Sequence, residues 1–463
     1  MTDDLSAGSK FPLRYLILAC CLVIVTLTTR LWRLDTPADL YWDEIYFGFT
    51  AQQYLDGNPD AYNPFATPPK DRAYEWTHPP LGKLIIAATM AATTDGMWGM
   101  RLAGVLFGTA SVVLVMLVAF LLTRSPPAAL LAGLLYAMDG LNFVMSRIAT
   151  IDVFQTTFIL AALAFYIAWR RRDGTSNWLL LGAGLMAGAT LSTKWVGLFL
   201  IALLGADLLV LWIIRRRRAG VQTILTAGVC LLLVPAAVYM ASYIHYFSMG
   251  YGWANFVELQ KQMWYYHTGL KEVPEYASKP LQWVFNLRPV WLYVEYDNPP
   301  DTIANIYNLG NSVVLYFGLV AMLLTAVRFF RRSTGFSPTH SQQDLGPDAR
   351  GIRDKDGHGS KTRWQWEAGF LLAAYLIFWV PWVRSPRAMY FYHYMPSTAM
   401  LCVASGWVLS NWLTARHWAL RALTTAIPLL AMVWFVLFYP NMTAIAVPKW
   451  WANAVYCLIP TWK

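Results

Sequence analysis

Tyr41-Trp42-Asp43-Glu44 follows the first apolar run of this chain, Phe11 to Leu31, and precedes a second unusual stretch, His78-Pro79-Pro80-Leu81-Gly82-Lys83. The 463 residues are 57% hydrophobic and only 13% charged, about half the ~25% charge of a soluble domain. Ionisable groups near a bilayer are expensive and are kept there for function. Two adjacent carboxylates beside an apolar run of ~20 residues, the length that crosses a hydrocarbon core, place chemistry at one mouth of a membrane bundle. The fold implied is an all-α polytopic membrane protein without a separate soluble domain.

Working outward, apolar runs near 11–31, 98–123, 127–147, 151–169, 177–192, 195–214, 222–245, 308–327, 367–382, 394–412 and 420–439 predict about eleven transmembrane helices. The first has no small-x-small cleavage site and is read as retained. Leu81 to Ala92 is apolar but short, the character of an interfacial helix. With the N-terminus inside, the C-terminus falls outside, and the loops at 170–176, 215–221, 328–366 and 413–419 face the cytoplasm. They hold Arg170-Arg171-Arg172, Arg215 to Arg218 and Arg328 to Arg332, as the positive-inside rule requires. Were 81–92 to cross, each of these loops would flip outside. Residues 1–463 then form a single membrane domain. Its large outer loops are 32–97 and 246–307, and its inner loop 333–363 has a disordered composition. The net charge of +10 resides in topology signals, so no nucleic-acid partner is implied. The five cysteines include no CxxC pair, which leaves neither a disulfide framework nor a thiolate metal site.

The outer face should be poor in Lys and Arg, yet this threading puts Arg30, His78, Lys83, Arg101, Arg147, Lys194, Arg288, Arg384 and Arg387 there. Snorkelling explains such residues singly. As a set they suit an anionic head group, and a lipid-borne phosphate is the natural one. Asp43, ionised at neutral pH, can take the proton of an attacking hydroxyl, while the cations stabilise charge on a departing phosphate. Asp152 can hold Arg147 or a donor hydroxyl. The pair Asp43-Glu44 also reads as the N-cap and first-turn acid of a helix from Ile45, a role that would fix a catalytic carboxylate rigidly. Two acids and a His could take a divalent ion through hard ligands, but no motif demands one, and no cofactor is expected.

Several motifs together resemble the protein O-mannosyltransferase family. They are Tyr41-Trp-Asp43-Glu44-Ile-Tyr-Phe-Gly48, His78-Pro-Pro-Leu-Gly-Lys83, Arg101-Leu, Met138-Asp-Gly-Leu-Asn-Phe-Val-Met-Ser-Arg147 and Lys194-Trp-Val-Gly-Leu, followed by Ser278-Lys-Pro-Leu-Gln-Trp…Arg288-Pro, Leu309-Gly-Asn311 and Tyr392-His-Tyr-Met-Pro396. The resemblance implies a GT-C glycosyltransferase. Such an enzyme transfers mannose from a polyprenyl-phosphate donor to Ser/Thr hydroxyls of exported proteins, in one inverting displacement. It implies Asp43 as catalytic acid residue and Glu44 as its partner, placing the acceptor. Arg30 and Arg101 match arginines needed for activity, Arg101 at the lipid phosphate, and His78 and Lys194 match positions near the donor. Lys83, Arg147 and Arg387 join the donor-binding set, with Asp152, Arg288, Asn311 and His393 in support. The setting implied is the cell membrane, with the site on its extracytoplasmic face and acceptors presented there by a secretion channel.

Three departures from the family pattern stand out. The outer β-trefoil of eukaryotic members has no counterpart in 246–307, Ser312 replaces a common Pro, and Val284 replaces another. A polyprenyl-phosphate-sugar transferase acting on a glycolipid or cell-wall glycan is the nearest alternative. A secondary transporter fits poorly, because the charges gather at one face and no repeat halves are visible.

Overall fold

A computed structural model gives the fold and describes residues 12–93, 96–172, 174–214, 221–269, 274, 276–333 and 359–462. Arg215 to Arg218 and most of the inner loop 333–363 lie outside the described residues. Among those described, seven helices are long and apolar enough to cross a membrane, and Leu81–Ala91, Pro126–Ala137 and Gly197–Ile213 are shorter apolar helices. Each run expected to span is helical over most of its length. Exposed Leu16, Ile17, Leu198, Leu232 and Val436 give the bundle an apolar outer surface suited to lipid.

The centre of the bundle is Met395–Trp412, whose residues from Met395 to Leu409 are all buried. A helix apolar around its whole circumference belongs inside, and this one packs against Pro126–Ala137 and Ser312–Ser333. The approach needs a missing side chain, since a Cβ on Gly406 would run into the Ala128 carbonyl oxygen and the Ala132 methyl. Small residues let membrane helices come this close.

The run at 127–147 is not one helix. Pro126–Ala137 stops, and Asp139 caps a new short helix, Gly140–Met145, by accepting the Asn142 N–H at 3.3 Å. A buried Asp can satisfy free helix-end donors, so it restarts a helix where hydropathy alone shows a continuous run.

The second large loop holds a feature the hydropathy reading missed. Strands β1 (Val290–Tyr296) and β2 (Thr302–Asn308) pair antiparallel, with Val290 opposite Asn308, and β3 (Val447–Pro448) from the tail joins β2. Residues Val-Trp-Leu-Tyr-Val-Glu-Tyr are β-branched and aromatic, with inner and outer positions alternating at the start of the strand, which suits a half-covered sheet. The fold remains predominantly helical, with this small sheet at one end.

Candidate active site

The 3₁₀ turn Trp42–Ile45 positions Asp43. Trp42 has φ 48°, a region that bulky residues seldom occupy. Edge-on contacts to Tyr276 and Tyr390, with ring centroids 6.1 and 5.6 Å away, hold its indole in place. Asp43 thereby faces a cavity of about 480 Å³ whose lining includes Tyr46, Glu75, His78, Asp152, Lys194, Tyr266, Arg387, Tyr392 and His393. These residues come from segments far apart in sequence but lie at one end of the bundle. Asp152 opens the helix Asp152–Arg171, and Lys194 follows Asn177–Thr193. Twenty residues of helix span about 30 Å, which sets Arg170 and Arg171 at the opposite end, where they pair with Asp207 and Glu367.

Within the cavity, charges are arranged in opposition. Lys194 Nζ lies 2.8 Å from Asp152 Oδ1, and the Tyr392 hydroxyl donates to Asp43 Oδ2 at 3.2 Å. Burial and the nearby Asp152 carboxylate push the Asp43 carboxyl up to about 7, against the pull of Lys194 and the Tyr392 bond. Sequence reasoning took Asp43 as wholly ionised at neutral pH. Desolvation beside a second acid instead leaves it half protonated there, near the optimum for a general base.

His78 is fixed by a carboxylate the sequence reading overlooked. Its Nδ1 donates to Glu75 Oε1 at 2.8 Å, and Lys83 Nζ reaches Glu75 Oε2 at 2.6 Å. Burial works against ionisation of Glu75, but Lys83 and His78 outweigh it and hold the carboxyl well below the usual range. His393 donates from Nδ1 to the Tyr390 carbonyl at 3.0 Å, and burial drives its titration far down. Both imidazoles line the cavity, and both leave Nε2 without a protein partner, available to accept from a sugar or acceptor hydroxyl. Arg387 also lines it, its Nη1 2.7 Å from Nδ1 of His267.

Of the residues expected to act, Asp43, His78, Asp152, Lys194, Arg387 and His393 therefore meet at one cavity. The others are placed elsewhere. Arg101 was expected at the lipid phosphate, but it is fully buried and forks onto Glu44, with Nε to Oε1 at 2.8 Å and Nη2 to Oε2 at 2.9 Å. Its remaining donors go to the carbonyls of Leu34, Pro37 and Asp39, so no N–H is left for a phosphate. Glu44, expected to place the acceptor, is buried and committed in turn, accepting from Arg101 and from the Ala149 N–H at 3.0 Å, and it is absent from the cavity lining. Arg147 did not find Asp152. It caps the end of Leu13–Leu31 by donating to the carbonyls of Arg30, Trp32 and Arg33. Arg30 is buried and donates to Ser146 Oγ at 2.9 Å. Lys83 serves Glu75 and the His78 carbonyl. Asn311 caps Ser312–Ser333 and ties it to the Met138 and Ala431 carbonyls. Arg288 lines an adjoining pocket of about 640 Å³ with Lys279, whose wall also includes Arg387 and Ala388.

The sequence profile described as dolichyl-phosphate-mannose-protein mannosyltransferase matches residues 20–249, and that of the C-terminal four-transmembrane region of protein O-mannosyltransferase matches 252–458. The chain belongs to the protein O-mannosyltransferase family. A Mycobacterium tuberculosis polyprenol-phosphate-mannose–protein mannosyltransferase is 25% identical over 87% of this chain and 82% of its own length. The Mycolicibacterium smegmatis protein of the same name is 25% identical over 94% and 90%. Among solved structures, the Saccharomyces cerevisiae protein O-mannosyltransferase Pmt1-Pmt2 complex bound to its sugar donor superposes with TM-score 0.80 at 14% identity. The match covers 98% of this chain and 93% of that one. ArnT from Cupriavidus metallidurans bound to undecaprenyl phosphate shares the fold more loosely, with TM-score 0.54 at 15% identity over 92% and 76%. In this protein O-mannosyltransferase family member, no three His, Cys, Asp or Glu side chains among the described residues cluster as a metal site would.

Proposed function

We propose that this membrane mannosyltransferase moves a single mannose from polyprenyl-phosphate mannose to Ser or Thr hydroxyls of exported proteins, at the extracytoplasmic face of the cell membrane. The observation that carries the reading is the Asp43 carboxylate facing a cavity that it shares with the cations Lys194 and Arg387, where burial raises its titration to about 7. The names of the mycobacterial relatives supply the donor and acceptor classes.

In this mechanism Lys194 and Arg387 hold the donor phosphate, the first tempered by Asp152. The acceptor hydroxyl enters beside Asp43, which removes its proton as the oxygen attacks the anomeric carbon. The bond from that carbon to the phosphate oxygen breaks on the opposite side, and its electron pair leaves with polyprenyl phosphate. The configuration inverts. Charge growing on the phosphate meets cations already in place, so little reorganisation is needed. Asp152, His78 and His393 accept from hydroxyl groups of the sugar or acceptor. Residues 1–463 act as one membrane unit with about eleven crossings, the N-terminus in the cytoplasm. Acceptors reach the site unfolded, as a secretion channel delivers them.

The test is transfer of radiolabelled mannose from polyprenyl-phosphate mannose to a Ser/Thr-rich peptide, with Asp43→Asn alongside. The expected result is label on the peptide, abolished in the variant while donor binding persists. Label found in a lipid or glycan fraction instead would reassign the acceptor, and equal loss of transfer and donor binding would make Asp43 structural.

A further inference from the structure

The cations near this cavity are all held, but not by partners of the same charge. Lys83 is clamped by Glu75, Arg101 by Glu44 and Lys194 by Asp152. Among the described residues no carboxylate forms an ion pair with Arg387. Its Nε donates to the adjacent Ala388 carbonyl at 3.4 Å, and its side-chain partner is an imidazole, His267 Nδ1, 2.7 Å from Nη1. The other ring nitrogen, Nε2, lies 2.8 Å from the Thr77 carbonyl oxygen. A carbonyl only accepts and a guanidinium only donates. His267 therefore carries its proton on Nε2, gives it to Thr77, and accepts the Arg387 N–H on a bare Nδ1. A second ring proton would set N–H against N–H. Burial, with His78 and Arg387 nearby, pushes His267 titration down to about 3, so the ring is neutral at any working pH. Neighbours also limit its rotation: His78 and Trp195 stand edge-on, with centroids 5.0 and 5.7 Å away.

We infer that His267 is a positioning residue for donor binding: it fixes the Arg387 guanidinium at the cavity while leaving the whole positive charge for the donor phosphate. A carboxylate at this place would grip Arg387 harder and cancel that charge. A neutral side chain with one acceptor and one donor, oriented between Thr77 and Arg387, achieves position without neutralisation. The inference rests on Arg387 meeting the phosphate, as proposed above.

Four variants of the full chain, reconstituted in liposomes, test it: H267A, H267Q, H267E and R387A, assayed for peptide mannosylation against donor concentration. Loss of the clamp in H267A is expected to raise donor KM about tenfold, with kcat and acceptor KM within about twofold, the pattern of lost donor binding. In H267Q the amide can accept from Arg387 and donate to Thr77, so most of the loss is recovered. H267E is expected to raise donor KM at least as far as H267A. A donor KM for H267E near that of the parent protein would mean that only anchoring matters, and would overturn the inference. So would a raised donor KM in R387A with none in H267A or H267E, which leaves the Arg387 role standing. An unchanged donor KM in R387A would overturn both. Should H267A fail to fold, the Gln and Glu variants decide between the two outcomes.

Discussion

Replacing Tyr392 by Phe removes a hydroxyl that donates to the Asp43 carboxylate and keeps the ring that stacks on Tyr390 with centroids 5.4 Å apart. A hydrogen bond to a charged group contributes about 1.5 kcal/mol at the lower end of its range, close to tenfold in a proton equilibrium. With Asp43 titrating at about 7, about a quarter of it is ionised near pH 6.5, and about 3% would be after the bond is lost. Transfer by Tyr392→Phe should then fall roughly eightfold near pH 6.5 and by less than about 1.2-fold near pH 9, where Asp43 is ionised in both proteins. The assay is kcat/KM for the acceptor peptide across pH at saturating donor. An acid limb that stays where it was, or a loss of equal size at every pH, would refute Asp43 as the base whose ionisation limits transfer.

Two further outcomes follow from the same geometry. Asp43 in the folded protein binds its proton more tightly than an ordinary aspartate, which titrates at 3.8, so its contribution to stability is full below pH ~4 and is lost as pH rises to about 7. The whole difference is worth about 4 kcal/mol, reduced to about 2 because the part-exposed carboxyl faces a water-accessible cavity. Asp43→Asn should therefore melt higher than the parent at pH ~8 and together with it at pH ~4, and coincident melting at both would contradict the desolvated environment. Arg101→Ala strands Glu44 without its counter-ion in full burial, at a cost of about 3–5 kcal/mol. The expected readout is loss of the monodisperse peak in size-exclusion chromatography, and a well-folded variant with only a raised donor requirement would return Arg101 to the phosphate.

Much of the architecture was legible because hydropathy is a local signal. Each expected span is helical over most of its length, and the short apolar stretch Leu81 to Ala92 forms a helix of eleven residues, Leu81–Ala91. The break at Asp139 and the strands in 290–308 were missed, because a buried cap and a cross-strand pairing depend on partners that no window contains. The site divided along the same line. Charge is scarce in this chain, so Asp43, His78, Asp152, Lys194 and Arg387 stood out, and they share a cavity. Arg101 and Arg147 stood out equally, yet their partners, Glu44 and the end of Leu13–Leu31, lie 57 and about 115 residues away. Whether an Arg faces a ligand or a neighbour is a property of the fold. Glu75 went unnoticed although it is the carboxylate nearest in sequence to His78 and Lys83, and that proximity was the available clue. His267 offered no comparable signal, since its role depends on Arg387, 120 residues away.

The contact between Asp43 and Tyr392 closes a separation of 349 residues, which has a consequence for how the enzyme is made. At about 5–20 residues per second, synthesis takes roughly 20 to 70 s to pass from Asp43 to the tyrosine that bonds it. Throughout that interval the nascent chain carries Asp43 without the segment bearing Arg387, Tyr392 and His393. A chain cut short within that interval would lack these three residues of the cavity wall. The cavity wall is therefore complete only once the chain has been made almost to its end.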